Sequence, residues 1–235
     1  MNYVRLLLIL AACIVAGGSA SGQPLDTSLV GEWDVVGGTS PGGVPYNGTL
    51  TIDTSGRIYT LFWKVGITRY SGMGFYQNGH LFVGWGFQND YGVILYDLLT
   101  DGSIYGRWAF FGDGRIGSER AVRSPFSPSD SLGTLYNVFG VNPDVSQYWG
   151  SFSVFGLRDI FRFRWSVRGQ ALRGVGLRVG DQIVAGWGGG PYNNFGVMEY
   201  EISGDKGIGR WTVPDTELLG RETIIRRTIR TSDGQ

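Results

Sequence analysis

Two arginines and two glutamates hold corresponding places in the two halves of the chain. Gly106-Arg107-Trp108 is followed by Gly117 and Glu119, and Gly209-Arg210-Trp211 by Gly220 and Glu222. Two chemistries are open to them. If Arg107 and Glu119, or Arg210 and Glu222, lie on successive strands, each couple can form a structural ion pair across the sheet, the commoner use of such residues. If Glu119 and Glu222 face one another between the halves, two carboxylates could act as acid and base in a hydrolase. A second set is aromatic: Trp85, Tyr91, Tyr96 and Trp108, with Trp187, Tyr200 and Trp211. Their rings suit either a core or the lining of a ligand site. The loop Phe87-Gln88-Asn89-Asp90-Tyr91 and its longer counterpart, which carries Tyr192 and Asn193, add amides that could hydrogen-bond a sugar or a peptide.

Other catalytic signatures fail. Gly38-Thr39-Ser40-Pro41-Gly42 spells G-x-S-x-G, but no strand-to-helix elbow surrounds it, and His80 is the only histidine available to complete a triad. One histidine and one cysteine cannot assemble a zinc site, and no phosphate-binding loop or complete dinucleotide fingerprint occurs. The expectation is a protein with no catalytic residues, no metal and no cofactor.

The elements that must position these residues come in duplicate. Gly72-Met73-Gly74 and Leu81-Phe82-Val83-Gly84-Trp85-Gly86 return 102 residues later as Gly174-Val175-Gly176 and Ile183-Val184-Ala185-Gly186-Trp187-Gly188. Trp63 answers to Trp165, and Gly92 and Tyr96 to Gly196 and Tyr200. The duplication defines one unit over 29–122 and another over 131–225, with a Ser/Pro linker at 123–130 and a tail at 226–235. Strand signals dominate both. In Ile160 to Arg168, Phe161, Phe163, Trp165 and Val167 alternate with Arg162, Arg164, Ser166 and Arg168, a period of two. Tyr59, Leu61, Trp63 and Val65 form the same inner set in the first unit. Forty glycines, 14% aromatic residues and turns such as Asn78-Gly79 and Asp101-Gly102 complete an all-β composition. The expected fold is two tandem antiparallel meander β-barrels of about eight strands each, one per unit, with a sandwich as the alternative.

Residues 1–22 have the order of an export signal: Arg5, an apolar run, then Gly18-Ser19-Ala20. Leu10-Ala11-Ala12-Cys13 also matches a bacterial lipobox, in which Cys13 would be lipidated; cleavage after Ala20 would remove it. The protein is therefore expected outside the cytoplasm, periplasmic or extracellular, free or lipid-anchored to the outer membrane. With 20 basic and 20 acidic residues there is no field to recruit nucleic acid, and a lipid anchor would be the one link to a membrane.

Gly31-Glu32-Trp33, Gly48 to Ile52, Tyr59 to Trp63, Gly72 to Gly86, Gly92 to Tyr96 and Asp101 to Glu119 together resemble bacterial exported β-repeat proteins, some described as fibronectin-binding, and more distantly the lipocalin and avidin barrels. The lipocalin resemblance implies that Trp33 on the first strand packs against a basic residue on the last, here Arg120, whereas the second unit has Leu135 in place of Trp33. The fibronectin-binding resemblance implies recognition of an extracellular protein. The functional expectation is a non-catalytic binding or adhesion module for an extracellular protein or glycan. A carrier of a small apolar ligand inside a barrel is the alternative, and the paired-carboxylate hydrolase comes third.

Overall fold

The computed structural model describes residues 25–87, 89–125, 135–188 and 194–228. Residues 1–22, the stretch expected to be an export signal and holding Cys13, lie outside them, as do Tyr192 and Asn193. The first repeat forms β1 (Gly31–Thr39), β2 (Pro45–Ser55), β3 (Ile58–Val65), β4 (Thr68–Gln77), β5 (His80–Gly86), β6 (Tyr91–Leu98), β7 (Ile104–Phe110) and β8 (Gly117–Arg123). The second forms β9 (Leu135–Val141), β10 (Gln147–Leu157), β11 (Ile160–Val167), β12 (Gln170–Val179), β13 (Gln182–Gly188), β14 (Phe195–Ser203), β15 (Lys206–Thr212) and β16 (Gly220–Arg226). All pairings are antiparallel, and they close two eight-stranded barrels, as the duplication predicts.

The barrels do not coincide with the repeats. Barrel one closes in the order β1-β16-β15-β14-β5-β4-β3-β2, and barrel two in the order β10-β11-β12-β13-β6-β7-β8-β9. Each takes five strands from one repeat and three from the other. The assignment of one barrel to 29–122 and the other to 131–225 is corrected accordingly. The chain leaves barrel one after β5 and returns at β14. The stretch around 123–130, read as a linker between barrels, instead joins β8 to its own neighbour β9 within barrel two. The proposed tail also begins too early, because Arg226 still pairs with Trp33 on β1 and Arg227 bonds Asp34.

Where the chain crosses, the backbones nearly touch. A Cβ on Gly84 would stand 2.5 Å from the Gly92 carbonyl oxygen, and one on Gly186 would stand 2.1 Å from that of Gly196. These distances explain why both glycines recur in both repeats: only a residue without a side chain lets the strands pass. Around the crossings β5, β6, β13 and β14 are buried on both faces. β5, β6 and β13 carry unbroken apolar runs for that reason, without the alternation of a half-exposed strand, whereas β14 buries Glu199 among its apolar residues by pairing it with His80 and Arg210. Ile58, Met73, Phe82, Val93, Val175, Leu177, Val184 and Val197 form the apolar layer between the barrels.

Period-two strands behave as read. Tyr59, Leu61 and Trp63 point into barrel one, and Phe161, Phe163 and Trp165 into barrel two. The strand expected to reach Arg168 ends at Val167, with Arg168 turning at a φ of 49°. Strand exchange also corrects the lipocalin-like pair. Trp33 is fully buried and its ring carries the Arg226 guanidinium at 4.4 Å, not Arg120, because the last strand of its barrel is β16. In barrel two Tyr136, not Leu135, stands in the place of Trp33: it pairs with Arg123 and Phe152, as Trp33 does with Arg226 and Leu50.

Candidate functional site

Arg107 and Glu119 share no ion pair, and neither do Arg210 and Glu222, contrary to the sequence expectation. The register places Glu119 opposite Gly106 and Arg107 opposite Ser118; likewise Glu222 faces Gly209 and Arg210 faces Arg221. Adjacent strand positions point to opposite faces, so the glutamates turn inward and the arginines outward. The outward arginines tie the barrels together. Arg107 of barrel two donates from Nη2 to Gln77 Oε1 of barrel one at 2.5 Å and lies over the Phe75 ring. Arg210 of barrel one bonds Glu199 at 3.1 Å and reaches Asp159 of barrel two at 3.9 Å. Glu119 and Glu222 lie in different barrels, so they form no shared cleft for the hydrolase reading.

Each inward glutamate is instead the hub of a buried network. In barrel one, Tyr200 Oη donates to Glu222 Oε1, and Tyr46 Oη donates to Oε2 at 2.8 Å. Two indoles feed this set: Trp63 Nε1 donates to Oε1 at 3.1 Å, and Trp211 Nε1 donates to Tyr46 Oη at 2.9 Å. Barrel two repeats the plan. Tyr96 Oη donates to Glu119 Oε1 at 2.5 Å, Tyr148 Oη donates to Oε2 at 2.7 Å, and Trp165 Nε1 donates to Tyr96 Oη at 3.1 Å. Burial pushes both carboxyls above their ordinary range, while the tyrosine hydroxyls pull them partly back. Tyr96 and Tyr200 titrate well above a free phenol, first because they are buried and second because a carboxylate lies against them.

One link of the plan is broken in barrel two. Trp108, the counterpart of Trp211, has a buried Nε1–H with no hydrogen-bond partner. The interior opens there into a cavity of about 440 Å³, lined by Trp108, Trp165, Trp187, Tyr148 and Leu172, with Glu119 reached at its inner end. Asp90, Asn142, Arg168 and Gln170 also line it, all from connections between strands or their edges.

Barrel one fills the equivalent space with its own side chains. Tyr70 stacks on Trp63 at 5.2 Å and 15° between planes, and its centroid is 5.4 Å from that of Trp85. Phe87 closes over both rings at 5.7 and 6.0 Å. At the repeat offset of 102, Leu172 stands where Tyr70 does.

Among the aromatic residues singled out from sequence, Trp108 and Trp187 line the cavity, while Tyr96 lies behind it and holds Glu119. Trp85, Tyr200 and Trp211 belong to the interior of barrel one. Tyr91 departs from the expected loop site: it begins β6 outside both interiors, in the layer between barrels, with its hydroxyl 2.8 Å from that of Ser71. Sequence reasoning missed Tyr148, Tyr46 and Leu172. Tyr46 and Tyr148 could have been found as a conserved feature of the internal repeat, since they too are 102 residues apart. The G-x-S-x-G stretch is a hairpin turn, with the Ser40 hydroxyl accepting from the Val44 N–H at 3.1 Å. His80 is engaged elsewhere, its Nδ1 lying 2.6 Å from Glu199 Oε1.

Comparison with protein-family models, curated proteins and solved structures gives no match to this chain.

Proposed function

We propose that the protein is a non-catalytic binding protein that holds one small, largely apolar molecule inside barrel two. The carrying observation is the cavity of about 440 Å³ with three tryptophans in its wall and a buried carboxylate at its inner end. Its volume falls within the range of about 300–1,000 Å³ usual for small-molecule sites, and its makeup, apolar walls with few converging polar groups, is the usual one. Burial of the aromatic walls supplies affinity, and Tyr148 and Glu119 fix orientation. A screen of small apolar compounds by native mass spectrometry and tryptophan fluorescence tests this reading. The expected result is one molecule bound per chain, lost when Trp187→Ala removes part of the wall; saturation at two or more equal sites would contradict it.

The reading as an adhesion module for an extracellular protein or glycan draws on a different face. On the outside of barrel two, Tyr105, Arg120, Phe139 and Trp149 are cross-strand neighbours in one row over β7 to β10. Trp149 is 71% and Phe139 50% exposed. Glycan and matrix-protein arrays, fibronectin included, should detect binding that Trp149→Ala weakens at least tenfold if this row is the contact; arrays empty for the unaltered protein would remove this second reading.

A further inference from the structure

The duplication places a model of the ligand inside the protein. Trp63, Trp85, Trp211, Tyr46 and Glu222 of barrel one correspond to Trp165, Trp187, Trp108, Tyr148 and Glu119 of barrel two, and both sets face inward. In barrel one a phenol ring, that of Tyr70, occupies the space between the first two indoles. In barrel two the corresponding residue is Leu172; Phe163 stacks on one face of Trp165 at 5.0 Å and 13° between planes, and no ring of the barrel takes the place of Tyr70 where Trp165 and Leu172 border the cavity.

The polar contacts differ at the same place. Trp211 N–H donates to Tyr46 Oη in barrel one, whereas in barrel two Trp108, set edge-on to Tyr148 in the same way, falls short of a complete hydrogen bond to its hydroxyl and its N–H is left unsatisfied. Tyr148 directs its proton to Glu119 Oε2, so its oxygen retains room to accept. A hydroxyl both accepts and donates, and one group of that kind would answer both needs.

We propose that the molecule held in barrel two is a hydroxylated arene of the phenol type, its ring stacked on Trp165 where barrel one places the ring of Tyr70, and its hydroxyl accepting from Trp108 Nε1–H and donating to Tyr148 Oη. This rests on the small-ligand reading and narrows it. A ring offers two flat faces to walls that are themselves flat, and stacked aromatic pairs gain over aliphatic chains of equal area. A site built around a hydroxyl rejects the analogue lacking it, because the buried donor is again left unpaired.

The probe is p-cresol, the tyrosine side chain as a free molecule, titrated into the protein alongside toluene, which keeps the ring, and 1-heptanol, which keeps the hydroxyl. Calorimetry should give one p-cresol per chain, bound at least tenfold more tightly than either analogue. Leu172→Tyr should abolish binding by supplying the ring in cis, with thermal stability equal to or above that of the unaltered protein. The pair Tyr70→Leu and Phe87→Gly should create a second, weaker site in barrel one. Should Leu172→Tyr fail to fold, the indole N–H resonance of Trp108, identified by its loss in Trp108→Phe, must shift on saturation with p-cresol. Binding of 1-heptanol without p-cresol overturns the phenol assignment and leaves the small-ligand reading standing. Binding of none of the three overturns the assignment as well, while a hit for another compound class in the wider screen preserves the parent reading. Undiminished p-cresol binding by a folded Leu172→Tyr protein places the ring elsewhere and also overturns it.

Discussion

Glu222 and Glu119 are ionisable groups enclosed in apolar barrels, and their surroundings make opposing demands. Two tyrosine hydroxyls donate to each, which favours the carboxylate, but loss of water favours the acid, and burial is the larger influence. A carboxyl whose folded value is raised above the unfolded one binds its proton more tightly in the native state. Its contribution to stability is complete below about pH 4.3, the ordinary glutamate value, and is lost as pH rises through the folded value. Urea midpoints of the unaltered protein relative to Glu222→Gln should therefore fall between pH 4 and pH 8; a relative midpoint that rises with pH would show the network dominating burial. The tyrosines offer a paired comparison. Tyr46→Phe removes a hydroxyl bonded to Glu222 and also strands Trp211 N–H, whereas Tyr148→Phe removes only the bond to Glu119. Denaturation should find Tyr46→Phe costlier by about 1 kcal/mol. Equal costs would mean that the Trp211 bond contributes nothing. The sequence revealed these glutamates as repeated residues, yet it paired them with Arg107 and Arg210, because strand register decides which face each takes and spacing between strands does not encode register.

At the scale of strands, the legible part was what alternation encodes. Phe161, Phe163 and Trp165 face inward as their period of two requires. What alternation cannot tell is which barrel a strand joins, since β6 packs equally well beside β5 or beside β13 as far as its own residues are concerned. The clue was present in the unbroken apolar runs Leu81 to Trp85 and Ile183 to Gly186, which only strands covered on both sides can carry. The constraint on the repeated glycines at the crossings is the backbone behind them, which no hydrophobic pattern records. Gly84→Ala and Gly186→Ala should each cost about 1–3 kcal/mol, the range for overpacked cores, or a fall in Tm of about 2–4 °C per kcal/mol for a chain of this size. Gly37→Ala is the control, because its Cβ would meet nothing within 4 Å. Calorimetric scans in which all three variants melt together would remove the crossing as the reason for these glycines.

For the molecule as a whole, exchange of strands makes the two barrels one folding unit. A chain cut in the loop between β8 and β9 leaves the first fragment with β1 to β5 for barrel one and β6 to β8 for barrel two, and the second fragment with the complement. Neither fragment can close either barrel, so each would expose open sheet edges together with the apolar layer that unites Met73, Phe82, Val175 and Val184. Two copies of one fragment could close both barrels by mutual exchange, in the manner of a domain swap. The expectation is that residues 1–125 alone are dimeric or aggregated, and that mixing them with residues 126–235 restores a 1:1 complex with the near-ultraviolet dichroism of the intact protein. Light scattering after size exclusion checks both statements. A folded monomer of either fragment would mean that a repeat can close a barrel by itself, and with it the account of the crossing strands, of Trp33 held by Arg226, and of the arginine ties between barrels would fall together.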